Sequence, residues 1–298
     1  MIDIKYHIAS LVAVFLALGI GLLMGTTLLG NDTLIDYQKQ VTNRLETQLE
    51  NLRQKNESVE TMANELEMDL NIQTEFNNKV LPVLVHNKLE NINLAVIETN
   101  GYRFSSTLID TLELAEANIT SITSFMHYSE DQLPGDLTQS LGWADNNTEY
   151  ENLSSFVAAK IADAIITGEM ENVDLLAQAN IIQVSGTYGE SLDGIILVGG
   201  SQDEDTARKE SLDLPLLDTF KSHELAIYGV EETSAGYSYM EFYQKQRLTA
   251  TVDNIDTVPG QLALVLSIDG QPGHYGVKST AQRLLPELKT SQGGDGGA

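Results

Sequence analysis

The sequence predicts a mixed α/β protein built of three parts in series. These are an N-terminal transmembrane helix over residues 1–30, a coiled-coil stalk over 31–82, and a three-layer domain with a mainly parallel sheet over 91–288, followed by a tail at 289–298. Three observations carry this. An uncharged apolar run opens the chain, a polar stretch free of Pro and Gly with heptad leucines follows it, and short apolar runs then alternate with amphipathic ones over roughly 190 residues.

From Ile8 to Leu29 there are 22 consecutive uncharged residues. A helix needs about 20 to cross the hydrocarbon core. The alternative is a cleaved signal peptide, whose apolar region is usually ~7–15 residues and ends in a small-x-small site. Here the run is longer, and the one similar triplet, Ala17-Leu18-Gly19, lies in its middle. Lys5 and the α-amino group precede the span, opposed by Asp3. Asn31, Asp32 and Asp36 follow it, and the next positive charge is Lys39. The positive-inside bias puts the N-terminus in the cytoplasm and the rest outside. Ala9, Ala13, Ala17, Gly21 and Gly25 recur every fourth position. That spacing makes a shallow ridge across which two such helices can approach closely, although Gly and Ala are common in membrane helices generally.

Reading heptads with Leu45 at d puts Leu45, Leu52, Val59, Leu66, Gln73 and Val80 at d, and Thr42, Leu49, Asn56, Ala63, Leu70 and Asn77 at a. Eight of these twelve positions are apolar, the pattern of a coiled coil that weakens toward its C-terminal end. Asn56 at an a position is best satisfied by its own copy across a parallel two-stranded seam. Lys55 and Glu60 sit where they can pair between chains. The alternative is an amphipathic helix folded back on its own domain. About 46 helical residues at ~1.5 Å each give a stalk of roughly 70 Å, with Pro82 expected to end it.

In the domain the expected strands are 94–97, 119–124, 181–184, 195–198, 225–230 and 262–268. The expected helices are 106–117, 153–167, 206–222 and 280–288. The polar, glycine-rich end at 289–298 reads as disordered.

The composition excludes several chemistries. A formal net charge of -26 argues against nucleic acid as a partner. With no cysteine there are no disulfides, thiolate metal sites or cysteine nucleophiles. The Gly199-Gly200-Ser201 loop after an expected strand is only superficially like a phosphate cradle, because Asp203, Glu204 and Asp205 follow it and no G-x-G-x-x-G or Walker A pattern is present. Neither H-E-x-x-H nor G-x-S-x-G occurs. The distinctive stretch is the C-terminal one. It holds Asp253 and Asp256, then the expected strand 262–268, then a glycine-bracketed turn of Gly273, His274, Tyr275, Gly276 and Lys278. This turn, together with Asp253 and Asp256, is expected to form a binding face that displays His274 and Tyr275, the alternative being a tight turn whose tyrosine packs. With 262–268 as a strand, Asp253 and Asp256 precede it, so only a long connection brings them to the turn, the alternative being that the two segments belong to different faces.

The opening His7-Ile-Ala-Ser-Leu-Val-Ala-Val-Phe-Leu-Ala-Leu-Gly19-Ile-Gly21 with Gly25, and the Gly273-His274-Tyr275-Gly276 turn with Leu284-Leu285-Pro286 downstream, resemble the MctB-type copper transporter family of Actinobacteria and Firmicutes. The resemblance covers nearly the whole chain and is specific at its two ends. It implies a membrane helix, a coiled coil and a Rossmann- or flavodoxin-like domain outside the membrane. It also implies a role in copper homeostasis in the envelope or, as for some relatives, in complexes that control peptidoglycan hydrolases. Copper sites use Cys, Met and His. The seven methionines show no clustering beyond Met62 and Met68, and Met126-His127 is the one adjacent Met/His pair. The residues therefore favour a non-catalytic scaffold without metal or cofactor. Such a scaffold would be a parallel homodimer through Ala13, Ala17, Gly21, Gly25 and Asn56, with an envelope partner such as a peptidoglycan hydrolase regulator. The alternatives are a copper transport or pore component and an unrecognised hydrolase.

Overall fold

The computed structural model describes residues 4–101, 107–126, 135–143 and 150–288. The expectations for the tail at 289–298 and for His127 lie outside the described residues. The chain divides into two compact units, Met1–Thr74 and Glu75–Ala298.

The first unit is helical. Helix α1 runs Ile4–Val85 without a break, as expected where no Pro or Gly interrupts residues 31–81. Its segment Ile4–Thr27 is long and apolar enough to cross a membrane. Near the end of that segment the Thr26 and Thr27 hydroxyls donate back to Leu23 O at 3.0 and 2.7 Å, which hides two polar groups within the helix. The helix does not stop at Pro82. Pro82 has no N–H to donate back into the helix, yet α1 continues for three residues, with His86 N donating to Pro82 O at 3.0 Å.

The second unit is built around a seven-stranded sheet of order β3-β2-β1-β4-β5-β6-β7. Its strands are β1 (Asn93–Glu98), β2 (Asn118–Phe125), β3 (Ile182–Gly186), β4 (Gly194–Val198), β5 (Ala226–Val230), β6 (Ala250–Val252) and β7 (His274–Tyr275). All neighbours pair parallel except β3, which runs antiparallel to β2 at one edge. The helices are α2 (Thr107–Leu114), α3 (Gly135–Ser140), α4 (Leu153–Thr167), α5 (Glu171–Gln178), α6 (Leu214–Ser222), α7 (Met240–Lys245) and α8 (Val258–Ile268), with a π-helical turn at Lys209–Asp213. The central strands are apolar on both faces because helices cover both. Ala95, Ile97, Ile195 and Leu197 join one core with α4, α6 and α7, while Leu94, Val96, Ile196 and Val198 join a second with α2, α8, Leu81 and Val85. Five of the six expected strands form β1 to β5.

The sixth does not. Residues 262–268 lie within α8, where Thr257 caps the N-terminus by accepting from Gly260 N at 3.2 Å and Pro259 occupies the first turn. Every residue from Gly260 to Ser267 is buried, so no polar stripe marks the helical period, and a short apolar run of this kind looks the same as a buried strand. The expected helix at 280–288 is absent too. That segment lies along β7 instead, with Gln282 N donating to His274 O at 2.8 Å and Gly276 N to Arg283 O at 3.0 Å. It covers the free edge of a two-residue strand whose backbone would otherwise be unpaired.

Candidate functional site

Moving residues 262–268 from strand to helix rearranges the candidate site. Strands β6 and β7 are now parallel neighbours joined through α8, so the segment after β6 and the turn after β7 leave the sheet at the same carboxyl edge. Asp253 is buried and accepts from Val277 N at 2.6 Å and Lys278 N at 3.0 Å. The aspartates and the turn, grouped in the sequence as one candidate face, thus meet at one edge of the sheet, and the strand that would have separated them is a helix. Gly276 has φ +140, and a Cβ there would fall on the Asp253 carboxylate. Glycine is what lets the carboxylate reach both amides. Lys278 Nζ lies 2.8 Å from Glu231 Oε1 and also donates to Glu232 O and Ala235 O, both at 3.3 Å. Glu231 is fully buried and takes further bonds from the Ser238 hydroxyl and Tyr239 N. Asp256 Oδ1 accepts from Thr233 N at 2.7 Å and from the Thr233 hydroxyl at 2.9 Å. Asp253, Asp256 and Lys278 thus tie together the loops that follow β5, β6 and β7.

Tyr275 is not displayed. It is 3% exposed within the second core, its hydroxyl donates to Gln271 O at 3.0 Å, and Gly273 makes room for that hydroxyl. His274 is half-buried, with Nδ1 3.0 Å from the Thr251 hydroxyl, and burial pushes its pKa down. The alternation of a strand separates the two side chains, sending one out and the other in. On α1, a Cβ added at Gly21 or Gly25 would meet nothing within 4 Å, and Asn56, Ala13 and Ala17 are exposed.

A second arrangement, not foreseen in the sequence, lies where the strand order reverses between β1 and β4. This is the position at which open α/β sheets form crevices beyond their carboxyl ends. A cleft of about 110 Å³ opens there between Asn100, the 199–202 loop, Glu232 and Ser234. The loop does not offer its polar groups as a phosphate cradle. Ser201 N donates to Tyr237 O at 3.0 Å, and the Ser201 hydroxyl turns to Asp203 O at 2.7 Å.

Beneath the loop lies a buried polar cluster. Gly199 and Gly229 both leave space for Tyr243, whose hydroxyl donates to Asp213 Oδ2 at 2.7 Å. Burial pushes the Asp213 carboxyl up to about 7, against the pull of the nearby Thr99 and Tyr243 hydroxyls and the Arg208 guanidinium. Burial and the Asp213 charge together push Tyr243 well above its ordinary range and Tyr239 up to about 12. Arg208 Nη1 donates to Met126 O at 2.9 Å, and Nη2 donates to Thr99 O and, at 3.4 Å, to Phe125 O, so the guanidinium spans the carboxyl ends of β1 and β2. The available signals were an acid inside an apolar helical pattern (Leu212, Asp213, Leu214) and an acid directly after an apolar strand (Val230, Glu231).

Among the described residues, no three His, Cys, Asp or Glu side chains group closely enough to hold a metal ion. No curated protein matches the chain. The family described as copper transport outer membrane protein, MctB, matches residues 1–286, which take in the apolar helix, the sheet and the Asp253–Lys278 network. With nearly its whole length covered, the chain belongs to the MctB family.

Proposed function

We propose that this protein is a membrane-anchored envelope scaffold. In this reading α1 spans the membrane near its N-terminus, its middle part forms a parallel two-stranded coiled coil with a second copy, and a Rossmann-like α/β domain on the far side of the membrane recruits an envelope partner without catalysis. One observation carries the dimer. Leu45, Leu49, Leu52, Val59, Leu66 and Leu70 occupy the a and d positions of one heptad stripe, and each is more than half exposed. Burying such a side chain is worth roughly 1.5–3 kcal/mol, and a long isolated helix in water draws most of its stability from a covered apolar face. A second copy in register covers the stripe and satisfies Asn56 with its own counterpart. Sedimentation of a 31–290 fragment tests this. A dimer at tens of micromolar is expected, and a strict monomer refutes the stalk.

The family description favours a second reading, copper transport or homeostasis. The scaffold reading predicts that the soluble part binds Cu(I) no more tightly than a histidine-matched control protein. Stoichiometric binding that survives a competing chelator would establish the copper reading instead.

A further inference from the structure

The buried cluster under the β4 loop contains a fully buried carboxyl with one oxygen left without a hydrogen-bond partner among the described residues. Asp213 Oδ2 accepts from Tyr243, but Oδ1 has no hydrogen-bond partner among the described residues. The Thr99 hydroxyl, 3.3 Å from Val198 O, lies beside the carboxyl and, like Tyr243, pulls it toward its charged form against the effect of burial. A proton on the carboxyl removes the buried charge and leaves the bond from Tyr243 in place. Without that proton, a charge sits in a fully buried position with one oxygen unserved, an arrangement that costs several kcal/mol unless something moves.

The cation that acts on this carboxyl is itself tied to the strand ends. Arg208, five residues back across the π-helical turn, grips the carbonyls of Thr99, Phe125 and Met126. The other titratable groups acting with Asp213 are Tyr243 on α7 and Tyr239 just before it, and Glu231 after β5 acts on Tyr243. Helix α4 packs on the same turn and carries Lys160 and Asp163, neither of which acts on Asp213. A π-helical turn is a rare form of helix found mostly as a single turn and frequently at functional sites.

We propose that Asp213 is a proton-operated latch: while neutral it holds the 208–214 segment down across the carboxyl ends of β1, β2 and β4, and its ionisation draws Arg208 off the strand-end carbonyls and frees the segment. The direction follows from linkage. Folding raises the carboxyl above its unfolded value near 4, to about 7. The stability it contributes is therefore whole below about pH 4 and is lost as pH rises to about 7. The latch is closed in mildly acidic surroundings and open in alkaline ones.

Amide hydrogen exchange on the full chain in detergent micelles, corrected for intrinsic rates, tests this at about pH 5.5 and about pH 8.5. Peptides covering 208–214 should lose protection by at least about tenfold at the higher pH, while those in β4 and β5 hold theirs. Asp213→Asn, neutral at both values, should abolish the difference. Tyr243→Phe, which removes a donor that favours the charged form, should move the transition to higher pH. Equal protection of the parent at both pH values overturns the latch. So does an unchanged pH response in Asp213→Asn or, if that variant does not fold, an unmoved midpoint in Tyr243→Phe.

Discussion

Replacing Tyr275 by alanine should unfold the domain more easily, not disarm a binding face. The side chain is 3% exposed and packs in the core formed with α2, α8 and the end of α1. Truncating a buried aromatic costs about 3–5 kcal/mol through lost transfer energy and the cavity left behind. The hydroxyl bond to Gln271 O is lost as well, but Gln271 lies at the surface edge and its carbonyl regains water, so this adds little. For a unit the size of Glu75–Ala298, each kcal/mol moves Tm by roughly 2–4 °C, giving a fall of about 6–20 °C. Near-UV circular dichroism melts of the full chain, which report tertiary packing while α1 dominates the far-UV signal, provide the assay. Tyr275→Phe should cost about 1 kcal/mol, and His274→Ala, at a half-buried edge position, less than that. A Tyr275→Ala protein melting within about 2 °C of the parent would refute the packing argument and return the tyrosine to the surface role its sequence context suggests.

Three further outcomes can be checked. Gly276→Ala places a methyl group on the Asp253 carboxylate at a backbone angle suited to glycine, and should cost about 2–4 kcal/mol by breaking both amide bonds to that carboxylate, read as a lowered denaturant midpoint. Asn56→Leu should raise the melting temperature of the stalk fragment and loosen its choice of oligomer, seen as mixed species in sedimentation. Gly21→Ile with Gly25→Ile should weaken self-association of the membrane segment in an isolated-helix assay, because the added side chains block close approach; an unchanged signal would make the small-residue ridge coincidental.

The elements legible in the sequence are those whose reasons are local. The 24-residue apolar segment Ile4–Thr27 and the uninterrupted helix beyond it follow from a run of uncharged residues and the lack of helix breakers. Strands β1, β2, β4 and β5 announce themselves as short β-branched runs between polar turns, and α4 as a long apolar helix begun by a capping Asn152 and ended by Gly168. What the sequence could not decide was how a segment buried on every side would fold. The apolar residues of α8 look like a strand until the Thr257 cap and Pro259 are given their due, and reading them as a strand sends Asp253 to the wrong end of the sheet. Strands β6 and β7, three and two residues long, have no pattern of their own and exist because a parallel neighbour supplies their hydrogen bonds. The meeting of Asp253 with Val277 and Lys278, of Lys278 with Glu231, and of Asp213 with Tyr243 joins residues 24 to 47 positions apart. Spacing in the chain carries no record of such pairs, because they are set by which strands stand side by side and which ends of them face the same way.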